Sequence, residues 1–559
     1  MNRTSRIIGL LLAVLLVLTL VSCGKSATTT TTAASTTTAT AGSTTTTAAG
    51  ASTTATTASA NADTLTLAVS ADPSSLDQDF VAFDTIALAI HKNIYPFMVD
   101  YGVAQVNGAD VQDTTKILPL YAESFASADG GKTWILKIKK GIKFPSGNEL
   151  TADDVKWSKD RAFAAQANVA GVYRIIGLTK PEEITVVDPY TVQFAQEAPS
   201  ALSELIQVIG LYVFDSKEMK THATADDPWA KAWATQNSTG GGAYNVKSWQ
   251  KGGEIDLVAN DQYPLGAPAI KNVRIVVIPA AANRRLQLEK GDVDIALDLP
   301  RKDLTELKSN PDLKVVSVPS NEFVFIPLDV TKAPFDNKLV RQAMAYAIPY
   351  QQIISGVYGG DARSATSPVP LDMPGHLDTG YPYTYDLTKA AALLKQAGMD
   401  KGFTTTLDID QDNQEQEQIA ILVQAELKKI NVTVNIEKLD PATFVDRRAK
   451  KTVPMQVASG QLWVNDVQYM LGTSMTEGGF LNYANYINPA VNDIYTKLGT
   501  TTDQSARMSL AADLQKILAD DVPWLMIAQP NFNVPMRKNI SGWVQPVDAL
   551  FRLQYLKKS

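Results

Sequence analysis

Between Asp386 and Ile436 the hydrophobic period changes twice, and this narrows the fold more than any other stretch of the 559 residues. Asp386 is placed to cap a helix carrying Ala390, Ala391 and Leu394, and Gly398 to end it. Phe403, Thr405, Leu407 and Ile409 then alternate with polar neighbours, as in a strand with one buried face. Ile419, Leu422, Val423 and Leu427 follow at helical spacing, and Val432, Val434 and Ile436 alternate again. A strand, a helix and a second strand of these lengths close a parallel pair, because an antiparallel return needs only a short turn. The fold class is therefore α/β.

The rest of the chain supplies further elements. Leu65, Leu67 and Val69 open a strand, and a loop from Asp72 to Asp84 leads to an apolar helical stretch over Ile86–Ile94. Trp134–Gly141 reads as a strand that Ile142–Phe144 continues. Thr151 and Asp154 have the spacing of a capping box, which assigns Asp154 to a helix start rather than to catalysis and leaves Asp153 to solvent. Ile184–Val187 and Thr191–Phe194 flank Asp188-Pro189 as a hairpin. Glu254–Val258 reads as a strand, Leu286–Lys290 as a helix stopped by Gly291, and Val293–Ala296 as the strand after it. So much folded chain exceeds one compact core and predicts two or three domains. No internal repeat is evident.

The N-terminus follows different rules. Arg3 and Arg6 precede an almost wholly apolar run over Ile7–Leu20. That length suits the core of a secretory signal, roughly 7–15 residues, and falls short of the about 20 needed for a permanent span. Leu20-Val21-Ser22-Cys23 follows, and Cys23 is the single cysteine of the chain. This segment resembles the lipobox of bacterial lipoproteins. The resemblance implies cleavage of 1–22, diacylglyceryl transfer to Cys23 and a body held to the membrane only by its lipid. Two acyl chains suffice for stable anchoring where one is marginal. Residues 24–63 are nearly all Thr, Ala, Ser and Gly. They hold too little apolar surface to offset chain entropy, and read as a flexible tether reaching roughly 35 Å.

Composition excludes several function classes. Lys+Arg 51 against Asp+Glu 58 gives −7, with no basic tract suited to nucleic acid. His91, His222 and His376 are too scattered for a histidine-rich metal site, and no cofactor is implied. Asp408, Asp410 and Asp412 share the opening spacing of a calcium loop, but Asn413 stands where that loop needs glycine and Ile419 where it needs glutamate. HExxH, GxSxG, a P-loop and paired CxxC are all missing, so a tethered hydrolase has no visible nucleophile–base pair or metal cluster.

Five stretches carry a wider resemblance: WILKIKKGIKFPSGNELTADDVKWS (134–158), GGGAYNVKSWQKGGEIDL (240–257), PFDNKLVRQAMAYAI (334–348), YDLTKAAALLKQAG (385–398) and NYANYINPAVNDIY (482–495). In order and spacing they resemble the solute-binding proteins of ATP-driven peptide/nickel importers, the dipeptide- and oligopeptide-binding family. That resemblance implies a two-lobed, periplasmic-binding-protein-like clamshell with a hinge and an extra inserted α+β domain. One lobe would comprise 64–99, 198–312 and 525–559, the inserted domain 100–197, and the second lobe 313–524, with the chain crossing near 312 and 525. It further implies a monomeric, non-enzymatic receptor that captures a small solute by closure and passes it to permease subunits of the importer.

The same resemblance nominates ligand contacts. Trp463-Val464-Asn465-Asp466 matches a Trp-x-x-Asp segment whose aspartate meets a peptide's α-ammonium. Two departures stand beside it. Val467-Gln468-Tyr469 replaces an acid–proline pair, and Ser459 or Gly460 occupies the place of an arginine found in some members. Phe80-Val81-Ala82-Phe83 matches a loop whose backbone pairs with bound peptide, a mode that grips an extended chain without reading side chains. Tyr244, Trp249 and Tyr346 are expected in the core. A short peptide is the expected ligand, with an oligosaccharide, an opine or a nickel chelate as alternatives, and a sensory receptor as the alternative to transport.

Overall fold

A computed structural model describes residues 62–81, 84–106 and 108–559. The lipobox with Cys23, the tether up to residue 61, and Ala82 and Phe83 of the nominated loop lie outside the described residues.

Phe403–Asp410 and Val432–Leu439 pair in parallel over their full length, joined by the Gln414–Lys428 helix, as the period changes require. Met455–Gln456 adds a third parallel strand to this sheet. A second parallel set forms where Thr64–Val69 lies between Asn272–Val277 and Ile295–Ala296. Glu254–Ala259 and Tyr244–Gln250 extend it by antiparallel pairing. The buried strand residues Leu65, Leu67, Ile275 and Ile295 form its core. Tyr244 and Tyr346 are buried as expected, whereas Trp249 is only partly buried and donates its indole N–H to Asp72.

One long strand, Trp524–Arg537, joins the two halves. Its second half pairs with Leu313–Pro319 and its first half with Phe323–Pro327. Between them Ser320–Glu322 lies opposite Gln529–Pro530. There Ser320 donates to the Pro530 carbonyl at 2.7 Å and Gln529 donates to the Ser320 carbonyl at 2.6 Å. Two strands thus carry the chain between lobes, the arrangement that permits hinge motion. They change partners at Ser320–Glu322 and Gln529–Pro530, because Leu313–Pro319 still pairs with the second half of Trp524–Arg537.

The inserted portion is α+β. Ala122–Ser127, Thr133–Ile138, Thr191–Ala195 and Ile184–Asp188 form an antiparallel sheet, with the Ala152–Ala164 helix packed on it. The capping box at that helix is present, and Asp154 also accepts from the backbone and hydroxyl of Ser216, so this buried acid is structural. The expected continuation through Ile142–Phe144 is not a strand. Gly141 takes φ +79° and turns the chain, leaving a single bridge between Lys143 and Glu149. Asp408 is buried and paired with Arg447 at 3.3 Å, consistent with its rejection as a calcium ligand. Among the described residues no helix is long and apolar enough to cross a membrane, and no group of three acidic, histidine or cysteine residues is placed to hold a metal.

Candidate functional site: the interlobe cleft

The loop before the first helix is fixed by charge. Arg161, fully buried, donates to both oxygens of Asp77 at 2.9 and 2.6 Å and also pairs with Asp79. Tyr212 donates to the other Asp79 oxygen. Two carboxylates on one guanidinium hold the Gln78–Phe80 turn against the inserted domain, and pairing of this kind is what makes buried charge tolerable. Phe80 does not point at the cleft freely. The Lys231 ammonium sits 3.8 Å from its ring centroid and the Arg161 guanidinium lies 5.4 Å away. Val81 is buried beyond it.

Val81 and Trp463 come together, one from each side of the cleft, in the wall of a cavity of about 50 Å³. Leu88, Phe97, Val169, Val172, Ile209 and Leu550 complete its apolar lining. Lys92 also reaches this wall but is committed: it donates to the Val208 carbonyl at 2.7 Å, lies over the Phe97 ring and stands 3.6 Å from Asp100. Burial lowers its pKa to about 8, and Asp100 resists the fall.

Asp466 caps the Val467–Ser474 helix, accepting from the Gln468 amide at 2.7 Å. Both its oxygens also accept from Arg507 at 2.7 and 2.8 Å. The Arg507 side chain is 1% exposed and that of Asp466 14%, so the carboxylate keeps one edge toward solvent. Its neighbour Asn465 donates to Thr114 of the inserted domain at 3.2 Å, a hydrogen bond across the cleft. Ser459 and Gly460 lie in a short strand opposite Val324 and Phe323. Ser459 is exposed, while Gly460 faces the Phe323 ring so closely that a Cβ there would stand 2.7 Å from it.

A larger cleft cavity of about 570 Å³ lies nearer the hinge, bordered by Asp84, Asp298, Arg301, Glu322 and Glu415. Arg301 bridges the lobes: its guanidinium is 3.1 Å from Glu415 and 4.8 Å from the Tyr358 ring centroid, and it donates to the Asn531 carbonyl at 3.4 Å. Burial raises Glu322 to about 7, with Arg301 opposing the rise and Glu415 adding to it.

Residues 116–482 match the model of bacterial extracellular solute-binding proteins, family 5. The chain is 31% identical over 498 residues to the probable D,D-dipeptide-binding periplasmic protein DdpA of Escherichia coli, covering 88% of this chain and 93% of that one. This chain belongs to that family. It is also 30% identical to the dipeptide-binding protein of E. coli, over 78% of this chain and 85% of the relative. Among solved structures, DppA of Helicobacter pylori in complex with the peptide STSA superposes with a TM-score of 0.76 at 24% identity, covering 89% and 98% of the two chains. CtaP of Listeria monocytogenes gives 0.78 at 22%, over 89% and 99%. Membership of family 5 makes the chain a solute-binding protein rather than an enzyme, and the structural likeness establishes the clamshell fold.

Within this family 5 member, Arg507, Thr114, Arg301 and Glu415 were not among the residues nominated from sequence. Each meets its partner across a separation that no local motif spans, 41 residues for Arg507 and 351 for Thr114.

Proposed function

We propose that this protein is a lipid-anchored, extracytoplasmic receptor that captures a short peptide by lobe closure and delivers it to a membrane permease. The reading is carried by one juxtaposition: Trp463 of one lobe and Val81 of the other share a cavity wall, with the partly exposed Asp466 carboxylate in the same short segment as Trp463. A carboxylate in a closing cleft suits a cationic amino terminus, since a hydrogen bond to a charged group contributes about 1.5–3 kcal/mol. The names of the E. coli relatives, dipeptide-binding and D,D-dipeptide-binding, support the same class. Phe80, Val81, Ala82 and Phe83 are assigned to backbone pairing with the peptide, Ser459 and Gly460 to ligand contact beside Trp463, and Cys23 to lipidation. Ligand contacts on both lobes favour closure because only differential affinity shifts such an equilibrium.

Native mass spectrometry of the full-length protein released from detergent tests the assignment. Retained species of peptide mass, weakened by Asp466→Ala, are expected. Retention of a sugar, an opine or a nickel chelate, indifferent to that substitution, would overturn the peptide assignment and leave the fold untouched.

A further inference from the structure

Building on the peptide reading above, we propose that the cavity between Trp463 and the inserted domain is a side-chain pocket that selects peptides whose first residue is small and aliphatic, with Val172 setting its depth and Gln78 holding the adjacent backbone. The wall is mostly apolar, with Val81, Leu88 and Leu550 from the first lobe, Val169 and Val172 from the Asn168–Ile175 helix, and the Trp463 indole from the second lobe.

Of the polar side chains that line this pocket, three are spent and Asn168 is exposed to solvent. Lys92 is bound to the Val208 carbonyl, Tyr212 to Asp79, and Asp548 to Arg552 at 2.6 and 2.8 Å. A charged side chain entering here would find no free counter-charge and would lose its hydration, which is costly. Gln78 differs: its Oε1 is buried and has no hydrogen-bond partner. An unmet buried acceptor beside an apolar pocket is matched by a ligand that supplies one N–H next to a hydrocarbon group, as a peptide backbone does.

Size follows from volume. One water-sized sphere takes roughly 10–15 Å³ on this measure, so about 50 Å³ admits roughly three to five heavy atoms. That is at most the side chain of valine or leucine, and the single methyl of alanine fits within it. Phenylalanine or tryptophan would have to displace Val172 or the indole. The first residue is the one concerned because Asp466, the proposed ammonium partner, lies in the same tight turn as Trp463, with the Asp466 amide donating to the Val464 carbonyl at 2.9 Å. Trp463 completes the wall from the opposite lobe, so a side chain that overfills the pocket also holds the cleft open.

Titration calorimetry of the full-length protein in detergent micelles, with Ala-Ala, Val-Ala, Leu-Ala, Phe-Ala, Trp-Ala and Glu-Ala, tests this. The first three should bind at least about 10-fold tighter than the last three, the scale of discrimination that pocket size supplies. Val172→Ala, at a half-buried position, should restore Phe-Ala by about 5-fold or more and leave Ala-Ala nearly unchanged. Val172→Phe should weaken Leu-Ala by about 10-fold. Gln78→Leu should weaken all bound peptides by about 5-fold without reordering them, the worth of one hydrogen bond. Equal affinity across the panel, or an order unmoved by both Val172 variants, overturns the pocket and leaves peptide binding standing. If none of the six binds to protein that shows its normal thermal transition, the peptide reading falls and the pocket with it.

Discussion

Replacing Arg507 by methionine keeps most of the buried stem and removes the guanidinium. In the native protein that group donates to both Asp466 oxygens, to the Leu498 carbonyl at 2.7 Å and, at 3.3 and 3.4 Å, to the Thr501 carbonyl and the Gln468 side chain. Its loss strands a carboxylate that retains only the Gln468 amide. Breaking a buried ion pair costs about 3–5 kcal/mol. Because Asp466 keeps an edge toward solvent, the lower end applies, about 3 kcal/mol. Asp466→Asn preserves the cap and should cost less, about 1–2 kcal/mol. The double variant should cost less than the two singles together by at least about 1 kcal/mol, as expected for groups in contact. Urea unfolding followed by tryptophan emission measures all three. A saturating dipeptide should then raise the midpoint of Arg507→Met more than that of the wild type, since an ammonium replaces part of the missing partner. A loss below about 0.5 kcal/mol for Arg507→Met, within the range of ordinary surface changes, would refute the view that this pair sustains the site.

Three further outcomes follow from the same geometry. Glu322 has its pKa raised from 4.5 to about 7, so the folded chain holds that proton more tightly than the unfolded one; the contribution of this group to stability is fully present below about pH 4.5 and is lost as pH rises through 7. Glu322→Gln should remove this slope and gain on the wild type through that window, and parallel urea midpoints at pH 4.5, 6 and 8 would contradict it. Arg301→Ala removes the contact with Glu415 and Tyr358 across the cleft and should enlarge the radius of gyration measured by small-angle scattering, whereas an unchanged curve would show that Arg301 does not hold the lobes together. Gly460→Ala drives a methyl into the Phe323 ring and should destabilise by about 1–3 kcal/mol, read as a lower thermal midpoint; an unaltered midpoint would mean that the strand gives way freely.

Local chemistry made much of this protein legible in its sequence. The parallel pair over Phe403–Leu439 was written in a period that switches from two to 3.6 and back, because side-chain direction repeats with the backbone. Thr151 and Asp154 announced a capped helix, and Asp188-Pro189 a hairpin, from contacts that span only a few residues. The five family-like segments could also be read from order and residue type, and the Trp463–Asp466 segment, outside them, was nominated from its own short pattern. Other features depended on which surfaces meet. Arg507 reaches Asp466 only because the Gln504–Asp521 and Val467–Ser474 helices both pack on the Pro489–Thr500 helix, and Phe80 turns to Lys231 and Arg161 because two aspartates beside it are held by that same arginine. The pocket under Trp463 exists only where four separate parts of the chain, 78–97, 168–212, 463 and 548–550, converge. Local patterns record what one segment must bury, while long-range packing decides against what, and that second choice depends on shape and charge that no single stretch contains.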